Sequence, residues 1–184
     1  MRDRVENGEV ADVPINLGML LEDLLKKNTL VAGTVMDIAF SNLAIFVRSG
    51  APKPDITTAE ALKRALLAAK SIAFSAPSRG TAGAIYFPRA LERLGIAEQI
   101  KDKIILTPGD ADPAVLNGEA EIGINQLLNF AKPTHAPGLD LVGQLPEGLG
   151  KISIAAGVLE KAPRPDVAKS LIAFLASPAA ATAI

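Results

Sequence analysis

Short apolar runs of strand length alternate with amphipathic helical stretches along almost the whole chain, and this alternation constrains the fold more than any other feature. Leu43-Ala-Ile-Phe-Val47 is a continuous apolar run, the kind buried on both faces of a sheet in α/β proteins. Ala59, Leu62, Ala65, Leu66 and Ala69 then line one face of a helix, and Thr57 with Glu60 three residues later matches a capping box at its start. A strand over 71–74, a turn of small residues, a helix ending at Gly95 and a strand from Ile104 to Leu106 follow. A short helix around Ala114 to Leu116 leads to Gly118-Glu-Ala-Glu-Ile-Gly-Ile-Asn125, a turn into a buried strand. Leu139 to Val142 and Ile152 to Val158 supply two more strands, and a strand lies near Val31. Helices are predicted from Leu17 to Leu25, with Asn28 as terminator, and from Arg164 to Leu175, with proline and aspartate in the first turn. Such a chain predicts an α/β fold of mainly parallel sheets with flanking helices, in which ligands lie beyond the carboxyl ends of strands.

Gly50, Pro52 and Pro54 interrupt both strand and helix, so Arg48 to Ile56 reads as a linker, and a second crossing lies near 146–151. The two crossings bracket a middle block. They imply a discontinuous first lobe over 1–49 and 150–184 and a second lobe over 50–149. A hydrophobic fraction of 49% in 184 residues is enough to build a core for either one domain or two small lobes.

The composition also excludes functions. A net charge of −1, without any Lys/Arg stripe interleaved with aromatics, leaves no basic surface for nucleic acid. With no cysteine there is no disulfide framework, thiolate metal site or cysteine nucleophile. One tyrosine, no tryptophan and the single His135 argue against an aromatic sugar platform and a histidine-rich metal centre, so neither cofactor nor metal is expected. No apolar run reaches the length of a spanning helix, and the charged segment from Met1 to Val10 lacks the apolar stretch of a secretory signal. No nucleophile and base occur in a recognisable pattern, so no enzyme is expected.

The strongest candidate site is Ser75-Ala-Pro-Ser-Arg-Gly-Thr-Ala-Gly-Ala84, between a strand and a helix. Small side chains and two glycines let backbone approach a ligand, and the helix start offers orphan N–H groups and a partial positive charge to an anion. Ser75, Ser78 and Thr81 would add hydroxyls. The same residues also serve as ordinary caps of any strand-to-helix turn. Pro88 is comfortable only in a first turn, which predicts a regular helix starting near Ala84 to Tyr86 and open backbone over Gly80 to Gly83. Tyr86 either faces the same cleft or packs half-buried.

Asp110 and Asp112 follow a strand and read as helix caps in preference to cation ligands, since a calcium site needs more oxygens. Glu119 and Glu121 read as a solvated face, and His135 as a surface residue of a Pro-rich loop.

Taken in order, Ala11-Asp-Val-Pro-Ile15, Leu43 to Val47 with its Gly-Ala-Pro-Lys-Pro linker, Ser71 to Gly95, Gly118-Glu-Ala-Glu-Ile-Gly-Ile and Leu171-Ile-Ala-Phe-Leu-Ala-Ser-Pro178 carry a family likeness. The chain resembles the type II periplasmic solute-binding proteins of ABC transporters, in the group that contains molybdate-binding proteins. The resemblance implies a periplasmic protein that holds a small oxyanion or organic anion in an inter-lobe cleft, closes by hinge bending and delivers its ligand to a permease. It places ligand contacts at Thr81, Ala82 and Gly83, around Asp112 to Ala114, and at the strand end Asn125 and Gln126. Molybdate binders typically carry a tyrosine near that strand end, where this chain has Asn125 and Gln126. The resemblance also implies a first lobe without its leading strand, leaving a sheet edge open to self-association. The ligand-sensing domain of a LysR-type regulator shares this architecture and is the alternative reading.

Overall fold

Strand β1 (Ile15–Leu17) passes directly into helix α1 (Gly18–Lys26), which buries Leu21 and Leu24 and ends where Asn28 takes a left-handed backbone. Asparagine is among the few residues with a side chain that visit this region readily. The computed structural model describes residues 4–5, 7–130 and 137–181, and the chain divides into two units, residues 1–40 with 152–184 and residues 41–151. His135 lies outside the described residues.

In the first unit β1 runs antiparallel to strand β7 (Lys151–Ala156), with Ile15 opposite Ala156 and Leu17 opposite Ile154. Leu21, Leu24, Leu30, Ala155 and Leu159 form one cluster, and Ala156, Val158, Ala168 and Ile172 form another against helix α6 (Pro165–Leu175). The carboxylate of Asp12 accepts from the backbone N–H of Arg164 at 2.7 Å and from its guanidinium at 3.2 Å, pinning the entry to α6. The short helix α7 (Pro178–Ala181) follows.

Strand β2 (Met36–Arg48) is longer than its apolar run suggested, because Asp37 and Phe40 can stand exposed on its outer half while Leu43 to Val47 are buried. Its later residues belong to the second unit, whose sheet has the order β6, β2, β5, β3, β4. These strands are β3 (Ile72–Ser75), β4 (Ile104–Thr107), β5 (Ile122–Gln126) and β6 (Leu139–Gln144). β3 is parallel to β4 and β5, whereas β2 is antiparallel to both β5 and β6. The sheet is therefore mixed. Parallel pairing is confined to strands joined through helical crossovers, namely α3 (Ala82–Leu94) with α4 (Ala97–Ile100), and α5 (Asp112–Leu116).

Both faces of this sheet are covered. Phe74 meets Phe87 of α3 edge-on, with ring centroids 5.2 Å apart, while its neighbour Ala73 packs into a cluster with Phe46, Ala111, Ala114, Val115, Ala120 and Leu139. Gly123 lies opposite Phe46 across the β2–β5 pair, and a Cβ there would come within 2.1 Å of the Phe46 ring. Only glycine lets the ring lie against the strand.

Helix α2 (Ala59–Ala68) is capped one residue later than the capping-box pattern suggested. Thr58 Oγ1 accepts from the Ala61 N–H at 3.1 Å, because Asp55 has already engaged Thr57 through its N–H and its hydroxyl. At the far end of β2, Asp140 accepts from the Ser49 hydroxyl at 2.8 Å and from the Gly50 N–H at 3.5 Å, with the Lys53 ammonium 3.9 Å away. The Ser49 hydrogen bond, then that of Gly50, holds the Asp140 carboxyl below its usual pKa, with a smaller contribution from Lys53.

Gly123→Ala should lower unfolding free energy by about 1–3 kcal/mol, since the Phe46 ring must leave its place, and chemical denaturation measures the loss. A folded-state pKa held below the unfolded value adds stability above the unfolded pKa, and that stability is lost as pH falls through the folded value. NMR titration should accordingly place Asp140 below an ordinary aspartate, and Ser49→Ala should return it toward that ordinary value.

Candidate functional site

The carboxyl ends of β3 and β5 and the amino end of α3 meet within the second unit, and the local sequence explains how. After β3, Pro77–Arg79 form one 3₁₀ turn closed by Arg79 N–H to Ala76 C=O at 2.9 Å, and Gly80 ends it in a left-handed conformation. Thr81 is then the N-cap of α3, its Oγ1 accepting from the Ala84 N–H at 3.3 Å. The helix begins at Ala82, earlier than the Ala84 to Tyr86 start that Pro88 suggested. A good cap and a first turn packed into the core outweigh the single hydrogen bond that Pro88 cannot donate, and Pro88 sits inside the helix.

This start leaves the N–H groups of Ala82 and Gly83, the first two of the helix, without an intrahelical acceptor. Both residues are buried, and a Cβ on Gly83 would lie 3.5 Å from the carbonyl oxygen of Ile124, so the helix mouth rests against β5. The neighbouring Asn125 is 3% exposed and donates from Nδ2 to Asp112 Oδ1 at 2.6 Å. The Asp112 carboxylate is thereby tied to the end of β5.

The hydroxyls are less free than their positions suggested. Ser75, 2% exposed at the end of β3, donates to the Gly109 carbonyl at 2.8 Å, and Thr107 donates to the same oxygen at 2.7 Å. Thr81 keeps its hydroxyl proton while its oxygen serves as cap. Ser78 is exposed in the 3₁₀ turn, and Tyr86 and Gln126 are half-buried, on α3 and at the end of β5. Neither Asp110 nor Asp112 caps a helix: the N-cap of α5 is Ala111 without a side-chain bond, and Asp112 turns to Asn125 instead. Glu119 and Glu121 are exposed, the latter accepting from the Lys70 N–H at 2.7 Å. Among the described residues no group of three or more His, Asp or Glu is placed to hold a metal, and no helix is long and apolar enough to cross a membrane.

Arg79 stands on the same turn. It is exposed on the 3₁₀ turn, and no hydrogen bond or ion pair engages its side chain among the described residues.

An α/β unit with orphan amides at a helix mouth beside the ends of parallel strands is the architecture of the type II periplasmic binding proteins, and solved structures bear out that fold. The chain aligns over 97% of its length with 76% of the substrate-binding domain assigned to a molybdenum ABC transporter of Clostridium difficile, at 19% identity and a TM-score of 0.70. The Azotobacter vinelandii periplasmic molybdate-binding protein aligns over 98% of this chain and 78% of its own, at 17% identity and a TM-score of 0.63. The chain belongs to the bacterial extracellular solute-binding protein family, whose profile matches residues 1–184. It is also similar to an aconitate isomerase of a Pseudomonas species, with 33% identity over 99% of this chain and 68% of that protein.

Ser75→Ala removes one of the two hydroxyls on Gly109 and should cost about 1 kcal/mol of stability. Thr81→Ala should cost about as much through the lost cap, with Thr81→Ser restoring most of it, as read by thermal unfolding.

Proposed function

We propose that this protein is the solute-binding component of an ABC importer, working outside the cytoplasmic membrane with a permease partner, and that its solute is a small organic polycarboxylate. The family assignment supports the general role and favours it over the sensing domain of a regulator. The ligand class rests on one observation, the 33% identity to an aconitate isomerase, whose name specifies a tricarboxylate. An extended polycarboxylate seats one carboxylate on the helix amides and carries its remaining charge elsewhere. The greater similarity to an aconitate isomerase than to molybdate binders supports the same choice, since aconitate is a tricarboxylate. Thr81, Ala82, Gly83, Asn125 and Gln126 form the ligand contacts in this reading, with Ser78 and Tyr86 at the margin and Ser75 supporting the loop.

The isomerase relative favours a second reading, turnover of an unsaturated tricarboxylate. Isomerisation by proton transfer needs a titratable group at the ligand, and Asp112, bonded to Asn125 at the end of β5, is the candidate in this reading. Calorimetry with trans-aconitate, citrate, fumarate, molybdate and sulfate tests the first reading: polycarboxylate binding with no heat from molybdate is expected, and the reverse pattern overturns it. Proton NMR of cis- and trans-aconitate incubated with the protein separates binder from isomerase.

A further inference from the structure

We propose that the second unit carries a separate anion site, a pocket for inorganic phosphate at the amino ends of β3 and β5. The mouth of α3 follows the opposite, carboxyl end of β3. The pocket has a volume of about 310 Å³, and Arg48, Lys70, Ser71, Gly118 and Glu121 line it together with buried Val115. All of these residues belong to the second unit, so the pocket is built within it.

Its walls are fixed by hydrogen bonds between distant parts of the chain. Lys70 and Ser71 lead into β3 and Glu121 leads into β5, two parallel strands with Ile72 opposite Ile122. The Lys70 N–H donates to Glu121 Oε2 at 2.7 Å, the Glu121 N–H to Ser71 Oγ at 3.0 Å, and the Ser71 hydroxyl to the Glu119 carbonyl at 3.3 Å. Arg48 ends β2, where it is paired with Leu139 of β6. Its guanidinium passes close to Gly118: a Cβ there would lie 3.4 Å from Arg48 Nη1.

The charges in the pocket do not cancel. Two cations and one carboxylate line it. The β2–β5 register, with Phe46 opposite Gly123, extended by two residues brings Arg48 opposite Glu121. Yet the Glu121 carboxylate turns to the Lys70 N–H, and no hydrogen bond or ion pair engages the side chain of Arg48 or Lys70 among the described residues. An oxyanion in this pocket meets a planar guanidinium that can hold two of its oxygens, and a flexible ammonium beside it.

Glu121 then decides which oxyanion fits. Its Oε2 is taken by Lys70, and its Oε1 accepts nothing among the described residues. An ionised carboxylate only accepts hydrogen bonds, so it repels an anion without a proton and is satisfied by one that keeps a proton to donate. Inorganic phosphate keeps a proton at neutral pH; sulfate and carboxylates keep none.

The test is a titration of the isotope-labelled full chain with phosphate and with sulfate, at neutral pH and constant ionic strength, followed through the backbone amides by NMR. Phosphate should shift the amides of Ser71, Gly118 and Glu121 saturably, with sulfate at least about tenfold weaker. Arg48→Gln should weaken phosphate binding by about tenfold or more, and because Arg48 is exposed the variant should keep the parent melting temperature. Glu121→Gln, which retains an acceptor for the Lys70 N–H, should bring sulfate to within about threefold of phosphate. The assignment is overturned by a parent protein without a saturable shift, by shifts confined to Ala82 and Gly83, or by equal binding of phosphate and sulfate. Arg48→Gln binding phosphate within about threefold of the parent overturns it as well.

Discussion

The second unit depends on one contact, the Phe46 ring lying against the bare backbone of Gly123. β2 and β5 are antiparallel at this point, and the ring fills the space a side chain at 123 would take, joining the strand pair to the alanine-rich cluster beneath. With β2 and β5 locked in this register, Asn125 and Gln126 fall opposite Ala44 and Leu43, at the end of β5 where α3 begins. The helix then rests its Gly83 on the Ile124 carbonyl, and the orphan amides acquire a fixed location. A site built from backbone dipoles requires this kind of support, because dipoles bind well only when they need no reorganisation.

The cradle's chemistry follows from what its polar atoms already do. Thr81 spends its oxygen on Ala84, Ser75 and Thr107 direct their protons to Gly109, and Asn125 holds Asp112. What remains uncommitted at the mouth of α3 is the pair of amides of Ala82 and Gly83.

Much of this was legible in the chain because it rests on local signals. The apolar run from Leu43 to Val47, the periodicity of α2 and the glycine that ends α3 each report structure within a few residues, and each element is present. The sequence places the beginning of α3 two to four residues late, since Pro88 argues only about its own hydrogen bond and cannot report the strength of the Thr81 cap. Thr57 was similarly displaced as a cap by Asp55, a competition between neighbours. The antiparallel pairing of β2 and the Asp112–Asn125 bond join residues distant along the chain, and neither spacing nor periodicity carries that information. Asp112 was singled out as a cap, yet its partner lies thirteen residues on across a turn and a strand.

The Gly109 carbonyl, approached by the hydroxyls of Ser75 and Thr107, bears on how relatives are compared. Both of its lone pairs are filled from within the protein, so these hydroxyls are fasteners that shape the loop from β4 to α5. A serine and a threonine retained at these places in another chain would signal a retained loop, while the solute carried is free to diverge. Transferring ligand identity through such residues would copy the frame of the site and miss its contents.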